Sequence, residues 1–392
     1  MNFSNNNSNE SSMCKPVAED QLEALMYSME FVTTVITPCI LVFGLIGNIS
    51  FLVVVFRIKW MRTVVNCYLV NLAVTDILFL IFAGGDQILA YLITPVHRDD
   101  NFRGATGCVL IHLIKDACFF TSLSLITLVT LQKFYAVCQP YQYKRCTGRR
   151  QPTKFITVSW FLSIVFGCLL IPGTAQFAQF CIIWPDNDTY KDFPEMIAFC
   201  VPLDDSFEIV GKILQSVPFM AALFINFYLY GKIIVALHKR TTSGKGSNEK
   251  ARIRTRNQMA RMVITNGILF FLLLSPIHVT SFIHAINRLT SASPALNPSQ
   301  MTQMSKIFQI ITHLNSAVNP IVYNATNPRY RQAFCQTFCC CNLAKSSKYR
   351  SGVQLREVSG TKTGATISGD RSFSPNYINR TTDTQISRND VL

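Results

Sequence analysis

Apolar residues gather into long blocks separated by short polar stretches, at approximately 31–57, 67–94, 107–137, 154–177, 208–237, 259–287 and 302–324. Each block reaches the roughly 20 residues that a helix needs to cross the apolar core of a bilayer. The pattern predicts an all-α membrane protein, a seven-transmembrane helix bundle over 31–324. The stretch from Cys108 to Pro140 makes a helix of roughly 45 Å. It carries Lys115 and Asp116 inside its apolar run. Charges at such depth are costly in lipid and therefore face protein or water.

The flanks read differently. Residues 1–30 are polar and acidic, with Asn-X-Ser sequons at Asn2, Asn6 and Asn9, and are expected to form a disordered, glycosylated tail. The first apolar block is too long for a cleavable signal peptide and is expected to act as a signal anchor. Residues 325–341 place Tyr330, Phe334 and Phe338 four apart between basic and polar positions. That spacing predicts a short eighth helix lying on the membrane surface. Cys335, Cys339, Cys340 and Cys341 beside it suit palmitoylation better than metal binding. Residues 342–392 are Ser/Thr/Gly-rich and basic, and are expected to be disordered.

Hydrophobic residues at 49% against 15% charged exclude an ordinary soluble domain. The net charge of +14 does not indicate a nucleic-acid binder, because the bases lie in alternate connections and not on one patch. Arg57, Lys59 and Arg62 follow the first block, Lys144, Arg145, Arg149, Arg150 and Lys154 the third, and Lys239, Arg240, Lys245, Lys250, Arg252, Arg254 and Arg256 the fifth. Such loops stay cytoplasmic, which puts the N-terminus outside and the C-terminus inside. Asp186, Asp188, Asp192, Glu195, Asp204 and Asp205 then lie outside, and Asn187 joins the usable sequons. The fourteen cysteines show no C-x-x-C pair of the zinc-site kind. No inverted repeat suggests a transporter, and no nucleophile-base or metal cluster at one depth suggests an enzyme.

Several spans carry specific residues: Gly47-Asn48, Asn71-Leu72-Ala73-Val74-Thr75-Asp76, Trp160, Pro218, Pro276 and Asn315-Ser316-Ala317-Val318-Asn319-Pro320-Ile321-Val322-Tyr323. Over roughly 30–341 the chain resembles a rhodopsin-like (class A) G-protein-coupled receptor. The segments Ala136-Val137-Cys138-Gln139-Pro140 and Asn319–Phe334 look most like neuropeptide receptors of the thyrotropin-releasing-hormone, ghrelin and neuromedin group. The resemblance implies a plasma-membrane receptor for an extracellular peptide, activating a heterotrimeric G protein by helix rearrangement. It implies no cofactor beyond a possible allosteric sodium ion, and arrestin and a receptor kinase as further partners.

The resemblance also assigns residues. Cys108 and Cys200 would form a disulfide, while Cys14 and Cys181 are free or paired with each other. Asp76, Ser122, Asn315, Ser316 and Asn319 would form a sodium pocket of hard oxygen ligands; alternatively Asp76 is a protonated or hydrogen-bonded group holding helices together. Asn319-Pro320 breaks the helical hydrogen-bond ladder and lets Tyr323 swing. The ligand chamber would draw on Asp86, Lys115, Asp116, His278, His284, Gln309 and His313. Lys115 stands where amine receptors carry an aspartate and His313 where opsins carry a lysine, which disfavours both ligand classes. The acidic outer segments would attract a basic or C-terminally amidated peptide.

Departures from the family pattern concern the other end. The acid-arginine-aromatic triplet appears as Gln132-Lys133-Phe134, the aromatic before Pro276 is Leu274, and the tyrosine expected at 226 is Asn226, with tyrosines displaced to Tyr228 and Tyr230. Lys133 lacks the guanidinium fork, and Gln132 cannot restrain the resting state by an ion pair, so raised basal activity is expected. The same departures leave a non-signalling scavenger or scaffold receptor as the alternative. Arg252 and Arg256 lie on a basic extension of the sixth span suited to an acidic partner or the anionic leaflet. The C-terminal Asp390-Val391-Leu392 suits PDZ-type strand addition.

Overall fold

A computed structural model of the chain describes residues 14–18, 22, 25–27, 31–141, 143, 151–241, 247–290 and 298–338, with backbone alone at 240–241, 247–253 and 298–302. The first helix, α1, runs Val32–Arg57, with a π-helical opening over Val32–Ile36. Next, α2 runs Val64–Ile93. Its N-cap Thr63 accepts a hydrogen bond from the Asn66 N–H at 3.3 Å, which satisfies one of the free amides of the first turn. A π-helical stretch over Leu80–Gly85 interrupts α2 where two glycines weaken the regular ladder. The third helix, α3, spans Gly104–Cys138, and its 35 residues give about 52 Å, longer than a bilayer is thick.

After α4 (Gln151–Leu170) the chain forms a β-hairpin, β2 (Gln176–Ile183) against β3 (Met196–Val201), antiparallel with Phe177 opposite Cys200. A two-residue strand from the N-terminal tail, β1 (Lys15–Pro16), adds in parallel to the outer part of β2. The remaining helices are α5 (Asp205–Thr241), α6 (Ser247–Leu289), α7 (Pro298–Thr326) and α8 (Pro328–Phe338). Both α5 and α6 extend beyond the apolar blocks 208–237 and 259–287, because charged turns at their ends continue the helix beyond the apolar stretch.

Among the described residues six helices are long and apolar enough to cross a membrane, from Val32–Arg57 to Arg254–Leu289. The seventh, α7, keeps only a narrow apolar stripe of Ile307, Leu314 and Ile321, all exposed and seven residues apart. Its opposite face buries His313, Asn315, Ser316 and Asn319. Polar groups buried in a bundle must find partners inside it. Asn48 of α1 donates to the Gly44 carbonyl at 2.9 Å and the Ser316 carbonyl at 3.0 Å, joining α1 to α7. Trp160 of α4 donates to Asn71 of α2 at 3.2 Å, and Asn226 of α5 to Thr127 of α3 at 2.9 Å. Gly44 lets α1 approach closely, since a Cβ there would stand 2.6 Å from Leu80 and 2.9 Å from Ala317.

The tail is a correction to the sequence expectation. Residues 14–18 are ordered because Cys14 is bonded to Cys181, and Leu25 is buried with Val96, Ile182 and Ile197. Tyr27 stands edge-on to Tyr91 at 4.9 Å, and burial raises its phenol to a pKa of about 12. Residues 1–13, with Asn2, Asn6 and Asn9, and residues 339–392, with Cys339, Cys340, Cys341 and the PDZ-type terminus, lie outside the described residues.

Candidate functional site

The bundle has two unlike ends. At the hairpin end, a disulfide joins Cys108, at the start of α3, to Cys200 of β3, with Cα atoms 5.5 Å apart. The segment after α2 clasps the same hairpin: Asp99 accepts from the Ala198 N–H at 3.0 Å and Asp100 from the Cys200 N–H at 3.0 Å. Arg103 makes a two-point contact with Asp86, Nε to Oδ1 at 2.7 Å and Nη2 to Oδ2 at 2.9 Å, and also pairs with Asp100. Such a fork satisfies both carboxylate oxygens at once.

Sequence reasoning placed Asp86 among the ligand contacts and did not consider Arg103; the structure commits Asp86 to Arg103. Lys115 lies near this cluster, with Asp86, Arg103, Asp116 and Arg98 as its charged neighbours, and His313 is close enough to feel its charge. Asp116 points elsewhere and accepts from Gln215 of α5 at 3.1 Å. His278 is buried deeper, stacked between Phe119 at 4.7 Å and Phe219 at 4.2 Å. His284 belongs to a separate rim cluster with Glu208 at 3.7 Å, and Glu208 also holds Lys212. Gln309 is exposed about 200° around α7 from Ile307, on the side away from the apolar stripe. Asp86, Lys115 and His313 therefore come together, while Asp116, His278 and His284 stand apart from them. Asn187 is exposed at the hairpin tip, where its side chain caps Thr189.

At mid-depth, Asn319 donates to Asp76 at 2.6 Å, and Ser316 also bonds to this carboxylate. Ser122 meets the hydroxyl of Thr75 at 2.9 Å, one residue away from Asp76. Asn315 is buried beside them. The carboxylate accepts from the Asn319 amide and the Ser316 hydroxyl and has the Thr75 and Ser122 hydroxyls nearby; a single acid suits a monovalent cation better than a divalent one, which draws on more acids.

The opposite end is closed by aromatic rings. Tyr323 is buried against Phe51 at 5.2 Å and Tyr330 of α8 at 5.8 Å. Tyr330 hydrogen-bonds Asn66, so α8 is anchored beneath the bundle by one deeply buried phenol. Phe334 packs on the core and Cys335 is exposed. Lys133 is buried and faces Arg256 of α6 as a neighbouring charge, while Gln132 donates to Tyr143 at 3.0 Å. Arg252 lies on α6, where only the backbone is described.

Of the two displaced tyrosines, Tyr228 is exposed and Tyr230 is buried. Thr130 donates to the Tyr230 hydroxyl at 3.3 Å, and the phenol rests on Gly267, where a Cβ would stand 1.7 Å from its oxygen. Sequence reasoning singled out neither Gly267 nor Thr130; a glycine in mid-helix was the one available signal. The polar cluster at the hairpin end, the Asp76 carboxylate and the tyrosine closure at the α8 end are linked by α3, α6 and α7. Prolines interrupt the ladders of α6 and α7 at Pro276 and Pro320. Such an arrangement is suited to carrying a change of helix position from one end to the other.

Residues 47–323 match the profile of the 7 transmembrane receptor (rhodopsin family). The chain is 25% identical over 355 residues to a thyrotropin-releasing hormone receptor of Gallus gallus, covering 83% of this chain and 84% of the relative. It is 25% identical over 314 residues to neuromedin-U receptor 2 of Mus musculus, covering 77% and 73%, and 26% identical over 402 residues to cholecystokinin receptor type A of Cavia porcellus, covering 88% and 87%. The match takes in the spans, the Asp76 and Asn319 positions and Tyr323, and with the observed bundle it leads to one conclusion: the chain is a multi-pass membrane protein that belongs to the rhodopsin family of seven-transmembrane receptors.

Proposed function

We propose that the chain is a plasma-membrane receptor for an extracellular peptide, with the hairpin end outside, and that ligand binding opens the α8 end to a heterotrimeric G protein. The observation that carries this reading is the polar cluster of Asp86, Arg103, Lys115 and His313 near a disulfide-bonded hairpin, joined along α3 and α7 to the Tyr323 closure at the other end. The relatives named above are, by their names, receptors for hormones or peptides. Arg57, Lys59 and Arg62 at the other end support its assignment to the cytoplasm.

Sodium at Asp76 favours the resting state in this reading. Asn187 and the tail sequons carry glycans, Cys335 and its neighbours carry palmitate, and the Ser/Thr-rich tail takes kinase phosphates that recruit arrestin. Gln132 offers no acid to restrain Lys133, so basal exchange stands above that of receptor-free membranes. The test is guanine-nucleotide exchange in membranes holding the receptor, driven by a neuropeptide library, with Lys133→Arg alongside. At least one peptide is expected to accelerate exchange, and Lys133→Arg to strengthen the response; a peptide that binds and internalises without exchange in either protein refutes the coupling.

A further inference from the structure

The charges of the hairpin end fall into two layers. Asp186, Asp188, Asp192, Glu195 and Asp204 are exposed on the hairpin and at its exit. Deeper, the acids are already engaged: both oxygens of Asp86 by Arg103, Asp100 by Arg103 and a backbone amide, Glu208 by Lys212 and His284, and one oxygen of Asp116 by Gln215.

The cations are less evenly served. Among the described residues Lys115 makes no hydrogen bond and no ion pair within 4.0 Å, and neither does the guanidinium of Arg98. Arg98, on a left-handed backbone at φ 65°, is a further positive neighbour of Lys115. His313 supplies an independent observation: it is 4% exposed, it senses the charge of Lys115, and its Nδ1 has no hydrogen-bond partner. A buried polar atom without a partner and a partly buried ammonium with no carboxylate in direct contact are both unfavourable until a ligand supplies an oxygen to them.

We propose that the ligand inserts an anionic oxygen group, a carboxylate or its sulfate equivalent, onto Lys115 and His313, with Arg98 as a second cation at the entrance. The inference rests on the peptide-receptor reading and sharpens it. The exposed acids steer a peptide with basic character toward the hairpin over long range. The seat itself selects for negative charge, so the ligand is bipolar and not simply basic or amidated. The anion has two sources, a free C-terminal carboxylate or an acidic side chain.

A paired library separates them. Each sequence is made as free acid and as amide, and each internal Glu as Glu and as Gln, with nucleotide exchange read on wild type and Lys115→Gln. A charged hydrogen bond of this kind predicts about a tenfold to hundredfold potency advantage for one anionic form over its neutral twin. Lys115→Gln is expected to erase that advantage while the neutral twin keeps its potency. Equal potency of the twins on wild type, or an advantage that survives in Lys115→Gln, overturns the proposal. A ligand-independent arm uses purified receptor and millimolar N-acetylglutamate against N-acetylglutamine. The acid is expected to raise the unfolding temperature of wild type and not of Lys115→Gln; equal effects of the two compounds overturn the anion seat. Silence of the whole library refutes the peptide reading, and this thermal arm then decides the seat by itself.

Discussion

Replacing Gly267 with alanine puts a methyl group where the Tyr230 phenol already lies. The added Cβ would stand 1.7 Å from the hydroxyl oxygen and 2.7 Å from the ring carbon bearing it, far inside contact distance. The ring is rigid and 4% exposed, so it must turn out of its slot. Turning out forfeits about 1.5–3 kcal/mol of aromatic burial and about 0.5–1.5 kcal/mol for the Thr130 hydrogen bond, some 2 to 4.5 kcal/mol together. In the proposed opening α6 moves away from α5, which would take the phenol off Gly267. The cost therefore falls on the closed state, and at about 1.4 kcal/mol per tenfold the balance shifts roughly 30- to 1,600-fold toward open. For a receptor whose open state is about 1% populated at rest, even the lower figure brings it to roughly a fifth.

The assay is ligand-free nucleotide exchange, normalised to receptor at the cell surface. Gly267→Ala should show a large rise and Tyr230→Phe, which loses only the hydrogen bond, a few-fold rise. Adding Gly267→Ala to Tyr230→Ala should change little, because the clash has gone. Exchange at the wild-type level in Gly267→Ala, with wild-type surface expression, would refute the argument.

Three further outcomes follow from other parts of the molecule. Sodium should lower agonist affinity in wild type and lose that effect in Asp76→Ala, measured by radioligand competition with and without sodium; an unchanged sodium effect removes Asp76 from the site. Arg103→Ala leaves Asp86 and Asp100 without their cation and should destabilise the receptor by about 3–5 kcal/mol, whereas Arg103→Met with Asp86→Leu should recover much of it; thermal unfolding in detergent gives both numbers. Cys14→Ser releases a crosslink between residues 167 apart. It should cost about 2–4 kcal/mol and lose hydrogen-exchange protection at residues 14–18, while the protection of α3 stays as it was.

The apolar blocks and the charge of their connections made the bundle legible, because lipid imposes length and polarity on every spanning segment. The inward face of α7 was also legible, through Asn315, Ser316 and Asn319. Pairings between distant side chains were not. Asp86 looked like a ligand contact because an acid in an apolar run needs a partner, but nothing in the one-dimensional pattern pointed to Arg103 as that partner. Ser122 was assigned to Asp76 and instead bonds the neighbouring Thr75, a difference of one residue that helix packing decides. The displaced tyrosines were noticed, yet whether Tyr228 or Tyr230 turned inward depended on the space that Gly267 leaves on α6. The pairing of Cys14 with Cys181 was one of two readings left open, because spacing does not fix disulfide connectivity, and the strand that the tail adds to β2 depends on it.

The hairpin is held at two covalent points, Cys181 to the tail and Cys200 to α3, on strands that are themselves hydrogen-bonded. Both strands are tied, so any opening of this end would carry the tail segment, the hairpin and the start of α3 together, and entry and exit would share that step. Such a receptor would hold its ligand long after the free concentration has fallen, and the duration of its signal would be set by the mechanics of the roof as much as by contacts on the floor.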